Sequence, residues 1–344
     1  MKKEKEEKKI GSTLADTIKE IRKKFGEDAI MMLNEKPNVD VEAISTGSIG
    51  LDHAIGIGGF PRGRIVEVYG AESSGKTTLA LHTIAEAQKN GGICAFIDAE
   101  HGMDPQYAKQ LGVQTDKLLI SQPTSGEEAL RIVDSLVRTK KLAVVVIDSV
   151  AALTPKAEIE GEIGAVLMGA QARLMSQAMR MLTSAISKSN TLILFINQTR
   201  MNIGGYGNPI TTAGGKALKF YASVRIEVKK MSTIKKGEEA VGSRIKAKVV
   251  KNKVSSPFKM CEFDIIYNKG ILREAEILLL AEKYNIIKKE GASYKWKVSV
   301  GENGANNEFT ARGIGNATQF LKEHPENASA LISEIYNCQE KENI

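Results

Sequence analysis

The sequence predicts an α/β protein with a mostly parallel, twisted sheet covered by helices on both faces. Three observations predict it. Strand-like and helix-like segments alternate from about Gly50 to Tyr267. The strand candidates Ile65–Tyr69, Ile93–Ile97, Leu118–Ser121, Ala143–Ile147 and Leu192–Ile196 include several continuous apolar runs, as expected where both sheet faces are covered. A glycine-rich turn, Gly70 to Thr78, joins the first of these strands to a helical pattern with Leu79, Thr83 and Ala87 on one face.

The chain has 344 residues, enough for a large core with appendages. Its 42% hydrophobic content excludes a disordered chain, and a formal charge of +7 is compatible with a nucleic-acid partner. Cys94, Cys261 and Cys338 lie far apart and show no metal-ligand spacing, which points to a reducing cytoplasm, with Cys94 as a buried thiol. No apolar run is long enough to span a membrane, and the charged N-terminus lacks the apolar region of a signal peptide. A cytoplasmic location, with no membrane partner, is therefore expected.

Taken in order, residues 1–37 read as a lead-in and an oligomerisation helix. Met1 to Ile10 alternates Lys and Glu and reads as a solvated, frayed segment. Leu14, Ile18, Ile21 and Phe25 fall at helical spacing, with Thr13 and Asp16 placed as a capping box. That apolar face needs a partner, either its own core or another subunit. Residues 38–273 form the core. Val39–Ile44 alternates like a strand, and Ser223–Lys229, Arg244–Lys251 and Phe263–Tyr267 read as later strands of the main sheet. Residues 274–344 read as a small α/β domain: helix Glu274–Tyr284, strand Tyr294–Val300, a loop from Gly301 to Asn307, then helices Ala317–Glu323 and Ala328–Tyr336.

The chemistry starts at Gly70-Ala71-Glu72-Ser73-Ser74-Gly75-Lys76-Thr77-Thr78, which matches the phosphate-loop pattern G-x-x-x-x-G-K-[ST]. Glycines let backbone N–H groups face phosphate oxygens, and the following helix N-terminus adds partial positive charge. Lys76 is expected to reach the β- and γ-phosphates of ATP, and Thr77 to offer its hydroxyl to Mg²⁺. Ligands of an open parallel sheet gather at the carboxyl ends of its strands. There the chain carries Asp98 and Glu100, Asp148-Ser149, and Asn197-Gln198. Asp148 after an apolar run is expected to hold Mg²⁺ through water. Glu100 is expected to orient the attacking water and Gln198 to sense the γ-phosphate. Asp98 competes with Glu100, and alternation sends both to one side of the sheet, but Glu100 ranks first because it lies further out of the sheet.

Two Gly-punctuated loops, at about 160–169 and 198–213, carry apolar residues where a solvated loop would be polar. Such tips can wedge between bases or stack on them. On the helix between them Arg173, Gln177 and Arg180 form a polar stripe, and Leu174, Ala178, Met181 and Ala185 the expected core face. Taken alone, that helix is better accounted for by a solvated stripe over a core stripe. Lys216 and Lys219 extend the basic character towards DNA phosphates.

With these motifs assembled, the chain resembles the RecA family of bacterial recombinases. The resemblance rests on Gly70–Thr78, Phe96–His101, Asp148–Pro155, Phe195–Gln198, Ala217–Ser223 and Val249–Lys253, in this order. It implies a RecA-type core whose N-terminal helix and strand dock on a neighbouring subunit of a helical filament. It also implies a DNA-dependent ATPase that coats single-stranded DNA, pairs it with homologous duplex DNA, exchanges strands and promotes self-cleavage of an SOS repressor. In the ATP site it assigns Gly70, Glu72, Ser73, Ser74, Gly75, Lys76, Thr77 and Thr78 to phosphate binding, Asp104 and Tyr107 to adenine, Glu100 to catalysis and Gln198 to sensing. Lys251 and Lys253 are implied to reach ATP from the adjacent subunit, and Phe220 to lie at a subunit interface. The implied DNA contacts are Met168, Gly169, Arg173, Arg180, Arg200, Asn202, Ile203, Tyr206, Gly214 and Gly215. The long acidic tail common in the family is absent, which implies easier access of duplex DNA. A hexameric helicase on the same core and a non-hydrolysing nucleotide switch are the rival readings.

Overall fold

The computed structural model describes residues 2–26, 29–30, 41–162, 167, 169–201, 210–300 and 305–342. It divides into two units, Met1–Val41 and Glu42–Ile344. The first unit contains a long helix, α1 (Lys2–Phe25). Thr13 therefore lies mid-helix and is not a cap, and the charged lead-in is helical. Lys and Glu are good helix formers, so the charged stretch extends the helix instead of fraying. The Arg22 guanidinium donates to the Ile30 carbonyl at 3.0 Å, fastening the segment that follows.

In the second unit, β1 (Ala43–Ile44), α2 (Ile49–Ile55) and β2 (Phe60–Pro61) lead into β3 (Ile65–Gly70) and α3 (Lys76–Lys89). Then come β4 (Ile93–Asp98), α4 (Pro105–Gln110), β5 (Leu118–Ser121), α5 (Gly126–Arg138), β6 (Leu142–Asp148) and α6 (Lys156–Ile159). The long α7 (Ala170–Ser189) precedes β7 (Leu192–Met201), β8 (Ile210–Thr212) and α8 (Ala217–Tyr221). Next are β9 (Val224–Lys236), β10 (Glu239–Asn252), β11 (Met260–Ile266) and β12 (Gly270–Ile271). The chain closes with α9 (Arg273–Lys283), β13 (Lys288–Glu290), β14 (Ser293–Val300), β15 (Ala305–Arg312), α10 (Ile314–Glu323) and α11 (Pro325–Glu342). Two expectations change. The strand expected over Val39–Ile44 is only Ala43–Ile44 among the described residues. Ala305, Asn306 and Asn307, expected in a loop, pair with β14 as the start of β15.

Among the described residues the main sheet runs β12-β11-β10-β9-β3-β7-β6-β4-β5, with β8 paired to β7. From β9 to β5 the neighbours are parallel, and from β9 to β12 they are antiparallel. Period-two alternation decides the layers. Val66, Val68, Phe96, Val144, Val146, Leu194 and Ile196 pack with Leu79 and Ile84 of α3. Their strand neighbours Ile65, Ala95, Ile97, Val145, Ile147, Ile193 and Phe195 pack with Val133 of α5 and Met175, Met179 and Leu182 of α7. The edge strand β5 departs from this rule, for Leu119 and Ile120 are exposed. The core face of α7 is also corrected. Met175, Ala178, Met179, Leu182 and Ile186 are buried, whereas Met181 is exposed beside Arg180.

A third cluster joins α9, α10, α11 and the small sheet β13-β14-β15 through Leu278, Tyr294, Trp296, Leu321 and Ile335. It is latched to the main core by Glu276. This buried carboxylate accepts from Ser48 Oγ at 2.7 Å, Ile49 N at 3.0 Å and Gly50 N at 2.9 Å, so it satisfies donors at the start of α2.

Candidate active site and loop roots

Sheet register brings the site together. Gly70 at the end of β3 stands opposite Gln198 on β7, and Asp98 at the end of β4 stands opposite Asp148 on β6. Residues far apart in sequence therefore reach one sheet edge at one level. The turn after β3 is shaped by backbone as much as by side chains. Gly75 caps α3 at φ +87 with no side-chain hydrogen bond, leaving the first N–H groups of that helix open. A Cβ on Gly70 would meet the Val228 carbonyl oxygen at 2.2 Å, so only glycine lets β9 lie this close.

Donors converge on this turn. Among the described residues, Ser74 Oγ is buried with no hydrogen-bond partner. The Lys76 ammonium donates to the carbonyls of Gly70 at 3.2 Å and Ala71 at 2.7 Å. Burial lowers its pKa, opposed by the charges of Asp148, Glu100 and Glu72. An orphaned hydroxyl, a buried ammonium and an open helix N-terminus together suit a polyphosphate anion. Thr77 Oγ1 donates to Asp148 Oδ2 at 2.7 Å, and burial pushes the Asp148 carboxyl up to about 6. A hydroxyl beside a carboxylate supplies the oxygen ligands that Mg²⁺ prefers.

The carboxylates sort themselves by surroundings. Asp98 is buried and spent on structure, accepting from Gly102 N, Met103 N and Gln122 Nε2. Glu100 lies beyond the end of β4, is exposed, and accepts from Ser149 Oγ and from Gln198 Nε2 at 2.9 Å. The two acids thus differ in partners and exposure, Asp98 ending the strand and Glu100 lying two residues beyond it. Asp104 caps α4 by accepting from Gln106 N at 2.8 Å, and Tyr107 shares a 2.8 Å hydrogen bond with Thr78 Oγ1. That bond ties α4 to the start of α3. Glu72 and Ser73 lie exposed at the rim, Ser73 at φ 56.

The remaining candidates fall elsewhere. Lys251 donates to the carbonyls of Lys219 at 2.7 Å and Phe220 at 2.8 Å, so it is engaged with α8 and not with the turn at Gly70. Lys253 lines a 310 Å³ cavity together with Phe220 and Tyr221. Phe220 itself is 70% exposed. On α7, Arg173 and Arg180 are exposed on one face, and Arg200 is exposed near the end of β7. Gly169 caps α7 at φ 71, while Gly214 and Gly215 take φ +80 and +76 against its first turns. Met168, Asn202, Ile203 and Tyr206 lie outside the described residues.

The family model for the RecA N-terminal domain matches residues 12–272. The chain belongs to the RecA family. Protein RecA of Rickettsia canadensis (strain McKiel) is 55% identical over 319 residues, covering 92% of this chain and 90% of that protein. Protein RecA of Legionella pneumophila is 56% identical over 324 residues, covering 94% and 90%. Among solved structures, the crystal structure of the RadB recombinase aligns with a TM-score of 0.51 at 26% identity, covering 66% of this chain and 98% of that one. Membership of the RecA family thus agrees with the main sheet and with the phosphate-loop site.

Sequence reasoning missed a buried polar network behind this site. Glu67 on β3 is fully buried and accepts from Arg225 Nε and, at 2.9 Å, from Asn197 Nδ2. Register places Arg225 beside Glu67, and its guanidinium lies 4.7 Å from the Tyr69 ring centroid. Asn197 also donates to the Ala213 carbonyl at 3.1 Å and accepts from Gln198 N at 2.9 Å. The signal was a glutamate inside an otherwise apolar strand, Ile65-Val66-Glu67-Val68.

Proposed function

We propose that this chain is a DNA-dependent ATPase that forms helical filaments on single-stranded DNA and uses them for homologous pairing and strand exchange. The observation that carries the reading is the Glu100 carboxylate. It accepts from Gln198, which stands at the root of the second loop, at the same sheet edge as the phosphate loop. A water-orienting acid is thereby tied to a segment that can face DNA.

Lys76, Ser74 and the open N-terminus of α3 bind the phosphates of ATP. Thr77 and Asp148 hold Mg²⁺, which when bound neutralises charge on the phosphate oxygens. Glu100 orients water for in-line attack on the γ-phosphorus and accepts its proton. Gln198, released from Glu100, is free to bond the γ-phosphate and so to report its presence to the loop behind it. Arg173, Arg180 and Arg200 take DNA phosphates, and base pairing reads the sequence. Exposed Phe220, with Lys251 and Lys253, faces the neighbouring subunit. Promotion of SOS-repressor self-cleavage and a cytoplasmic location belong to the same reading, which agrees with the lack of any membrane-crossing helix among the described residues. Residues 274–344 carry eight Lys and Arg against eleven Glu, so they are not basic as a whole, and duplex contact there rests on local lysines, Lys288 above all, since Lys289 and Lys295 are paired with Glu282 and Glu290.

The test is ATP hydrolysis with and without single-stranded DNA, across a salt series, with imaging of the protein. DNA-stimulated turnover with open helical filaments supports the reading. Closed rings with directional unwinding favour a helicase, and absent turnover favours a nucleotide switch. Lys76→Ala should abolish ATP-driven strand exchange. Glu100→Gln should bind DNA yet hydrolyse slowly, and wild-type turnover in that variant would reassign the catalytic acid.

A further inference from the structure

The first turn of α7 carries a glutamine whose side chain bridges two segments that the proposed mechanism must move together. Gln171 Nε2 donates to the carbonyl of Val150 at 2.9 Å, with longer contacts to those of Leu153 at 3.3 Å and Ala151 at 3.4 Å. These carbonyls belong to the turn that follows Asp148 and Ser149. On its other side, Gln171 Oε1 accepts from Gly214 N at 3.2 Å, at the exit of the second loop. Gln171 itself lies two residues after Gly169, where the first loop ends. One carboxamide therefore joins the exits of both loops to the turn beyond the site carboxylate.

The packing around it is tight. A Cβ on Gly214 would meet Val150 Cγ1 at 2.7 Å, and one on Gly215 would meet Ala172 Cβ at 2.7 Å. The loop exit is thus pressed on Val150 and on α7, with the amide as its polar fastening. The entry of the same loop is fastened separately, through Gln198 to Glu100, and Glu100 in turn accepts from Ser149. Both ends of the second loop consequently lead back to the Asp148–Ala151 segment. A displacement of that segment either carries Gly214 with it or breaks the carboxamide contacts. Such a two-sided fastening is a physical route for coupling between sites.

We propose that Gln171 is a positioning residue that couples nucleotide occupancy to the DNA-facing loops. The proposal rests on the ATPase and DNA-binding reading above. Its test uses the full chain with a labelled oligo-dT strand and measures affinity by anisotropy, with Mg²⁺ and either a non-hydrolysable ATP analogue or ADP. The ratio of the two affinities is the coupling. Gln171→Met keeps the length and removes both polar functions. It should bind the ATP analogue in the absence of DNA within about twofold of wild type, yet lose about tenfold of the coupling ratio. DNA stimulation of ATP turnover should fall in parallel. Gln171→Glu keeps the acceptor for Gly214 but sets a carboxylate against the carbonyls, and it too should lose coupling. A purely structural role would lower the melting temperature of both variants and leave the ratio unchanged, and that outcome overturns the proposal. If the wild type binds DNA equally with ATP analogue and with ADP, the functional reading itself fails and the coupling role falls with it.

Discussion

Arg225→Met should be among the most destabilising single changes in the core. Glu67 is fully buried, and its carboxylate is held by Arg225 on one oxygen and Asn197 on the other. Removing one partner of a buried ion pair costs about 3–5 kcal/mol, because the remaining charge is left without compensation. Loss of the guanidinium over the Tyr69 ring adds about 0.5–1 kcal/mol. Lys219 and Lys251 also feel the Glu67 charge, which places the expectation towards the lower end of that range. At roughly 2–4 °C per kcal/mol, the melting temperature should fall by about 6–16 °C. Urea unfolding followed by circular dichroism, at one fixed protein concentration, measures the free energy. Adding Glu67→Gln removes the orphaned charge while keeping an acceptor for Asn197, so the double variant should recover about 1–3 kcal/mol relative to the sum of the single ones. An Arg225→Met cost below about 1 kcal/mol, additive with Glu67→Gln, would refute the reasoning.

Other outcomes follow from the same structure. Burial pushes Glu276 from 4.5 up to about 7, against the pull of donors from Ser48, Gly50 and Ile49. The folded chain therefore holds that proton more tightly than the unfolded one. The associated stability is full below about pH 4.5 and is lost as the pH rises through about 7. Glu276→Gln should flatten this part of the profile, and equal slopes for variant and wild type in urea titrations would count against it. Gly70→Ala should prevent nucleotide binding or folding, since the added Cβ meets backbone of β9 at 2.2 Å; normal binding of a fluorescent ATP analogue would contradict this. Tyr107→Phe removes the hydrogen bond to Thr78 and should cost about 1 kcal/mol in thermal unfolding. Chelation of Mg²⁺ should abolish turnover, and Thr77→Val should raise the Mg²⁺ concentration needed for half-maximal rate; an unchanged requirement would remove Thr77 from the metal site.

The order of strands and helices was legible because each signal was local. Apolar runs bounded by turns marked β3, β4, β6 and β7, and the spacing of glycines and lysine marked the phosphate loop. Helix limits were less legible where charge patterns replaced apolar ones. A Lys- and Glu-rich stretch reads as solvated, yet it suits the exposed surface of a helix, so α1 begins at Lys2 and not near Thr13. The face of α7 was misjudged for a related reason. Met181 is apolar by type but exposed by position, and Met175 and Met179, which the expected stripe left out, take the core.

Side-chain partners across long sequence separations were not legible at all. Glu100 ranks ahead of Asp98 by its place further out of the sheet, but its donors from Ser149 and Gln198, and the backbone amides and Gln122 that consume Asp98, appear only in the fold. Glu67, Arg225 and Asn197 lie on three strands, and Gln171 reads as one more polar residue on a solvated helix. The sequence by itself determined the fold class, the phosphate loop and the family resemblance, because backbone propensity, apolar periodicity and a short motif are properties of neighbouring residues. The tertiary structure alone decided which donors each acid accepts from, which polar groups are buried in pairs, and which glutamine holds the loop exits. Those depend on sheet register and on the desolvation of groups brought together by folding, and no local pattern encodes either.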